Sequence, residues 1–328
     1  MERNDCPDNL QEVIRYFSNP DVCVEFLAAQ RWPDGVACPA CESKKHSYIK
    51  TRRIWKRKDC GRQFSVKLGT VFEDSPIPLD KWLSAVWLVV NCKNGVSSYE
   101  IARDLKVTQK SAWFMLGRIR LALKNNSWDK LGDNNGGSGV EVDETFVGGK
   151  TKNMHKDRKL RFNQKGGGSG TKGKTIVMGL LDRDSRQVRA KVVPNVERHT
   201  LQTEVLKNVK YGSAVYSDSY SGYDRLNYRY IHEVVNHAEE YVRGQVHTNG
   251  IENFWSLLKR TLAGTYVAVE PFHLDRYIDE QAFRFNNRGG KKEGKISDRD
   301  RFMLALSQIA GKRLTYAELT GKVGETPF

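Results

Sequence analysis

An aspartate set in a short apolar, β-prone run occurs twice in this chain, in Val140-Glu141-Val142-Asp143-Glu144 and in Ala214-Val215-Tyr216-Ser217-Asp218. Burying a carboxylate at the centre or end of a strand is costly without a cation. The residues around both runs predict a mixed α/β sheet domain: strands at 140–147, 175–181, 188–193, 214–217 and 230–235, with helices at 197–209 and about 250–262. Two aspartates on neighbouring strands, joined by a glutamate from a packed helix, can hold two divalent ions about 4 Å apart, a pair suited to phosphodiester chemistry. Oxygen ligands favour Mg2+ or Mn2+. A lone aspartate at a strand end also serves as a turn former. The repetition of the pattern is what favours a metal site here.

Glu252 is the candidate third ligand. Ile251, Phe254, Trp255, Leu258 and Leu262 form one apolar stripe on the last helix, and Glu252 and Lys259, seven residues apart, share the edge beside it. Glu252 then lies where core meets cleft, with Lys259 directed toward phosphate. A second reading remains open: Asn249 is a good N-cap, and Asn249 with Glu252 makes a capping-box pattern.

The first half reads differently. Apolar spacing over residues 10–30, broken at Ser18-Asn19-Pro20-Asp21, predicts two short helices. Residues 31–72 change to short extended runs between cysteines, Gly and Pro, as in small metal ribbons, with Cys38, Cys41 and Cys60 as candidate zinc ligands. Cys6, Cys23 and Cys92 are scattered and read as buried thiols. Residues 73–131 predict three helices at 80–93, 98–105 and 109–123. Ser97 and Glu100 form a capping box, Asn94-Gly95 breaks the first helix, and Thr108 caps the third. A short helix, a turn and a longer helix is the helix-turn-helix pattern. The Gly/Asn-rich segment 132–139 reads as a linker before a catalytic domain at 140–288, and 289–328 as a helical tail. Residues 150–174, rich in Lys, Arg and Gly, read as a basic surface insertion, either solvated or tracking DNA.

Lys and Arg number 54 against 39 Asp and Glu, a formal charge of +15, so the chain attracts polyanions and double-stranded DNA is the leading partner. Arg52, Arg53, Lys56 and Arg62 give the ribbon a basic surface interleaved with Tyr48 and Trp55. Gln109, Lys110 and Ser111 open the third helix at positions able to reach base edges, and Arg118 and Arg120 are placed to meet phosphate. The alternative for these helices is a plain bundle, in which Ala112, Met115, Leu116 and Ile119 pack inward just the same. No run approaches the roughly 20 apolar residues of a membrane span. The N-terminus lacks the apolar run of a signal peptide, so a cytoplasmic, nucleoid-associated protein is expected.

The ordered series Cys38-Pro39-Ala40-Cys41, Gly61-Arg62-Gln63-Phe64-Ser65, Val142-Asp143-Glu144-Thr145, Ser217-Asp218 and His247-Thr248-Asn249-Gly250-Ile251-Glu252 resembles the zinc-ribbon insertion-sequence transposases, relatives of the eukaryotic Merlin elements. The similarity runs from about Phe17 to Arg288. It implies a ribonuclease-H-like catalytic core of the DDE type that uses two metals, cleaves at the terminal inverted repeats of its element and transfers those ends into target DNA. Asp143 and Asp218 match the family's first two catalytic acids. Some branches carry Asn at the third position, so Asn249 and Asn253 stand beside Glu252, which is favoured as the only carboxylate in the segment. The family's second Cys-x-x-Cys knuckle is here Arg57-Lys58-Asp59-Cys60, which leaves tetrahedral zinc one ligand short. Either His46 supplies that ligand or the ribbon folds without metal. Joining two DNA ends at one target predicts a homodimer or larger assembly. A DNA-binding regulator that has lost catalysis, and a nuclease without strand transfer, are the alternatives.

Overall fold

Capping side chains set most of the helix starts in the first third of the chain. In the computed structural model, which describes residues 6–39, 41–124, 127, 129–133, 137–148, 160, 173–235, 247–288 and 296–322, Asn9 opens α1 (Leu10–Tyr16) by accepting from the Glu12 N–H, and Asn19 opens α2 (Pro20–Arg31), with Pro20 in the first turn. Three antiparallel strands follow, β1 (His46–Ile49), β2 (Ile54–Arg57) and β3 (Gln63–Phe64). Next come α3 (Leu79–Asn91), α4 (Ser98–Asp104) and α5 (Gln109–Leu123). The Ser97–Glu100 capping box forms, and Thr108 accepts from Ser111 N–H at the head of α5. α3 buries Leu79, Trp82, Leu83, Val86, Trp87, Val89 and Val90 and packs against α1, α2 and α5.

The chain divides into two compact units, one of Met1–Lys124 with Asn287–Phe328 and the other of Asn125–Asn286. The second unit begins before the expected linker. Leu131 bridges to Val209 and joins the core, Gly132 N–H donates to Asp182, and Ser138 is bonded through N–H and hydroxyl to Asp184. The described ends of segment 132–139 are therefore anchored to the sheet. Of the basic segment 150–174, all but residues 160, 173 and 174 lies outside the described residues.

β4 (Val140–Val147) is the middle strand of a five-stranded sheet that also contains β5 (Thr175–Asp182), β6 (Val188–Val193), β7 (Ala214–Asp218) and β8 (Ile231–Val235), in the order β6-β5-β4-β7-β8. β4, β5 and β6 pair antiparallel, and β4, β7 and β8 pair parallel. The two-residue period of β5 divides the core. Met178 and Leu180 pack with Val140, Val142 and Val215 beneath α6 (Arg198–Asn208), through Leu201 and Val205. Val177 and Leu181 face the other way, against α7 (Asn249–Thr261) and α8 (Leu274–Asn286), through Ile251, Phe254, Trp255, Leu258, Ile278 and Phe285. The α7 stripe read from the sequence is thus the sheet-facing side of that helix.

Residues beyond 286 return to the first unit. α9 (Asp298–Ser307) and α10 (Tyr316–Thr320) each start with a capping box, at Ser297–Asp300 and Thr315–Glu318. α9 packs on α3, and its Phe302, fully buried, sits among Phe17, Phe26 and Trp87. Val71 N–H donates to Ile309 O, and Arg301 Nε donates to Asn91 at 2.8 Å. The segment is an integral part of the N-terminal core rather than a tail. Phe302→Ala should therefore destabilise that unit by about 3–5 kcal/mol. Urea unfolding followed by tryptophan fluorescence reads this, and an unchanged midpoint would show that the helix is dispensable.

Candidate active site

Parallel pairing of β4 with β7 aligns Val140 with Val215 and Glu141 with Tyr216, and the ladder ends there. Asp143 and Asp218 each lie three residues beyond the first aligned pair, so they sit at equivalent levels on adjacent strands where the pairing has stopped. Connections leave the two sides of β4 in opposite senses, the point at which open sheets place ligands.

Asp143 is half-buried, and its Oδ2 accepts from Trp255 Nε1 at 2.8 Å. That contact needs a glycine. Gly179 lies directly opposite Asp143 in the β4–β5 register, and a Cβ there would come within 2.6 Å of the Trp255 ring. The bare backbone lets the indole lie across the sheet and reach the carboxylate. Beside it, Glu144 Oε2 accepts from the buried Tyr223 hydroxyl at 2.6 Å. Asp218 closes β7, and one of its oxygens accepts from Tyr220 N–H at 3.1 Å, so it also acts as a turn former.

Glu252 is exposed in the first turn of α7 and accepts from the Thr248 hydroxyl at 3.0 Å. The capping-box alternative is not realised. Thr248 occupies the N-cap without a capping hydrogen bond from its own side chain, and Asn249 is already inside the helix. Asn249, Asn253 and Lys259 are likewise exposed on α7.

The start of α7 is seated by a residue that the sequence reading passed over. Glu141, 1% exposed, accepts from Ile251 N–H at 2.8 Å and pairs with Arg183 Nε at 2.8 Å. Arg183 also contacts His247 and lies over the Tyr216 ring. Gly250 leaves room for Glu141, since a Cβ there would meet Oε2 at 2.8 Å. The available signal was a charged residue flanked by Val140 and Val142 in an otherwise apolar strand.

Burial raises the Asp143 carboxyl to about 6, with the charges of Asp218 and Glu252 adding to the rise and the Trp255 hydrogen bond opposing it. Burial likewise raises Glu144 to about 7, helped by Asp218 and Asp143 and opposed by Tyr223. These carboxylates share a field. Among the described residues, however, no three His, Cys, Asp or Glu side chains converge closely enough to hold a metal ion. The donor set, hard oxygens crowded and short of positive charge, fits Mg2+ or Mn2+ chemically.

The N-terminal candidates fare unevenly. Lys56 and Arg62 are exposed, Arg52 donates to Gln63 at 3.0 Å, and Arg53 pairs with Asp21 at 2.6 Å. On α5 only Gln109 and Lys110 are fully exposed, while Ser111 is half-buried and bonded to Thr108. Arg118 and Arg120 do not face solvent and cannot meet phosphate as expected, since they are 5% and 2% exposed. Arg118 instead donates to the carbonyls of Leu314, Val71 and Glu73, tying α5 to its neighbours. In the ribbon, Cys38 is buried, Cys41 and Cys60 are exposed, and Arg57 is buried with its guanidinium on the Cys41 sulfur.

A five-stranded sheet in this order, with only its second strand antiparallel to the rest, is a ribonuclease-H-like core. Residues 135–286 match the ISXO2-like transposase domain, and residues 18–63 match the transposase zinc-ribbon domain. The chain belongs to the ISXO2-like family of insertion-sequence transposases. It is 28% identical over 291 residues to a Halobacterium salinarum protein described as an uncharacterized protein in transposable element ISH50, covering 86% of this chain and 95% of that one. It is 36% identical over 97 residues to a Haemophilus influenzae transposase-like protein, covering 29% of this chain and 78% of that one. Among the described residues, no helix is long and apolar enough to cross a membrane.

Asp143 and Glu144 hold protons more tightly folded than unfolded. Their stabilising contribution is therefore complete below their ordinary values of 3.8 and 4.5, and it is lost as pH rises through about 6 and about 7. In EDTA, the melting temperature should fall over that window by more in the wild type than in an Asp143→Asn/Glu144→Gln variant, and magnesium should reduce the wild-type loss. Superimposable pH profiles for the two proteins would contradict the assignment.

Proposed function

We propose that this transposase binds the terminal inverted repeats of its element and catalyses strand cleavage and strand transfer at a site formed by Asp143, Asp218 and Glu252. The observation that carries this is the placement of Asp143 and Asp218 at equivalent levels on adjacent parallel strands, beside a helix whose first turn bears Glu252 and is fixed to β4 through Glu141. These three carboxylates would hold the divalent cations, which when bound supply activation of water or a 3′-hydroxyl and stabilisation of the departing oxygen. Trp255 orients the Asp143 carboxylate, and Tyr223 does the same for Glu144. Lys259, on the exposed side of α7, is suited to hold a DNA phosphate near the reacting strand.

Binding of the repeats is assigned to the candidate cations that remain at the surface of the first unit, Arg52, Lys56 and Arg62 on the ribbon, with Gln109 and Lys110 at the head of α5. α5 is otherwise a core helix. It offers a groove only its first turn, which narrows the helix-turn-helix reading to those residues. Two element ends must be processed together, which calls for a dimer or larger synaptic complex.

Labelled element-end DNA with magnesium or manganese tests the assignment. Asp143→Asn and Asp218→Asn should each abolish cleavage, a loss of more than about a hundredfold, while retaining DNA binding. Glu252→Gln should do the same, whereas loss of cleavage in Asn249→Ala or Asn253→Ala but not in Glu252→Gln would move the third position. Retained binding with no cleavage by the wild type would favour a DNA-binding regulator, and cleavage without joined product a nuclease. Trp255→Phe keeps an aromatic ring over Gly179 but removes the donor to Asp143. It should slow cleavage by about 10- to 100-fold with the fold intact by circular dichroism, and wild-type rates would deny Trp255 a positioning role.

A further inference from the structure

A zinc ribbon closes on tetrahedral zinc bound by four sulfur or nitrogen ligands contributed by two knuckles. The residues of this ribbon do not fit that ion. The sequence provides Cys38 and Cys41 on one knuckle but Arg57 and Cys60 on the other. Arginine has no lone pair to offer and stays protonated at any accessible pH, so it both removes a ligand and places a positive charge where the ion would sit. His46 is the alternative fourth ligand, and its Nε2 is engaged with Val36 O at 3.0 Å. Near a carbonyl oxygen that nitrogen carries the proton, which leaves only Nδ1 to coordinate, and among the described residues no three His, Cys, Asp or Glu side chains are placed to share a metal ion.

We infer that this ribbon is zinc-free, and that the Arg57 guanidinium stands in the metal's place as the cation joining the two knuckles. Arg57 ends β2 opposite His46, and its backbone N–H donates to Arg62 O across the second knuckle. The side chain is 4% exposed, and its Nη1 donates to the Cys41 sulfur. Cys38, Cys41 and Cys60 all lie within electrostatic reach of the guanidinium. A covalently attached positive charge therefore sits on the Cys41 sulfur, with Cys38 and Cys60 near enough to feel it.

Other contacts perform the remaining part of a metal's structural role. Ser43, two residues past Cys41, donates to Asp59 at 2.6 Å, and Lys58 N–H donates to Lys45 O at 3.0 Å, so the knuckles are also tied through the two residues that follow Arg57. Beneath them, Trp55 is packed by Trp32, Tyr48 and Phe64, with ring centroids 5.1–5.7 Å away. Trp55 and Phe64 are buried at 6% and 4% exposure. Arg31 reaches into the same module, with its guanidinium over the Trp32 ring and a hydrogen bond to Val66 O. A small sheet with an aromatic core of its own depends less on a metal than ribbons that lack one.

Metal content of the full-length chain, purified without chelator, decides the matter. Wild type should carry far less than one zinc per chain by plasma mass spectrometry, and its melting temperature should not respond to a zinc chelator. Arg57→Cys restores the second knuckle and should take up about one zinc per chain, with melting that becomes chelator-sensitive. Wild type holding about one zinc per chain would overturn the inference. So would an Arg57→Cys protein that is folded by circular dichroism yet zinc-free. Should that variant fail to fold, Cys60→Ser in the wild-type background decides instead: unchanged melting supports a metal-free ribbon, and loss of zinc together with stability overturns it. None of these readouts depends on DNA cleavage, so the outcome is separate from that of the catalytic assignment.

Discussion

A buried carboxylate that is not itself a candidate ligand fixes the geometry of the catalytic unit. Glu141 points out of β4 to the first turn of α7 and accepts the Ile251 N–H, one of the donors that a helix start leaves without an intrahelical partner. Negative charge is favoured there by the helix dipole, and Arg183, only 9% exposed, compensates it. An ion pair this deep contributes little net stability, because desolvation offsets the attraction. Its effect is positional. Since Glu141 and Asp143 share one strand, and Ile251 and Glu252 one helix turn, a single hydrogen bond fixes the register between two of the three proposed ligands. Trp255, one turn further along α7, makes a second contact to the same strand at Asp143. Two contacts from one helix to one strand leave little freedom for α7 to slide or rotate.

Features set by local chemistry were legible in the sequence, and those set by distant partners were not. The β4 and β6 runs, the α5 boundaries and the Ser97 capping box follow from side-chain period and capping, which act over a few residues. The apolar stripe of α7 likewise predicts the face that meets the sheet. Glu141 and Arg183 are 42 residues apart, and Tyr223 and Glu144 are 79 apart, so no local pattern joins them. Gly179 was equally silent. A glycine in a strand reads as a weakness until the ring that fills its space is known.

The same reasoning explains the misplaced arginines. Arg118 and Arg120 lie in a basic chain on a helix that resembles a recognition helix, and charge alone sent them to the DNA. The helix is enclosed on more sides than its own sequence reveals, because Leu319 from the C-terminal segment packs against Gly117, where a Cβ would lie 2.8 Å from the leucine methyl. Arg118 then has carbonyls rather than phosphates around it, from Leu314 near the chain's end and from Val71 and Glu73. Three carbonyl acceptors satisfy the guanidinium directly, with the charges of Asp74 and Glu73 close enough to act on it. The closing segment that appeared to be an appendage is what turns a surface helix into an interior one.

The crowded acids at the strand ends represent a different compromise. Asp143 and Glu144 are adjacent in a strand, so their side chains leave opposite faces, yet each meets an aromatic donor, the indole of Trp255 on the α7 side and the phenol of Tyr223 on the α6 side. Each donor binds one oxygen and so fixes the plane of its carboxylate without supplying positive charge. Orientation is thereby achieved, while burial first and the neighbouring carboxylates second make both groups hold protons well above the ordinary carboxylate range. At the proposed site a divalent cation would compete with the proton for the Asp143 oxygens, and its binding would release that proton. A site built this way would be oriented before it is loaded, and the desolvation that counts against it in the metal-free chain would become part of its affinity for the ion.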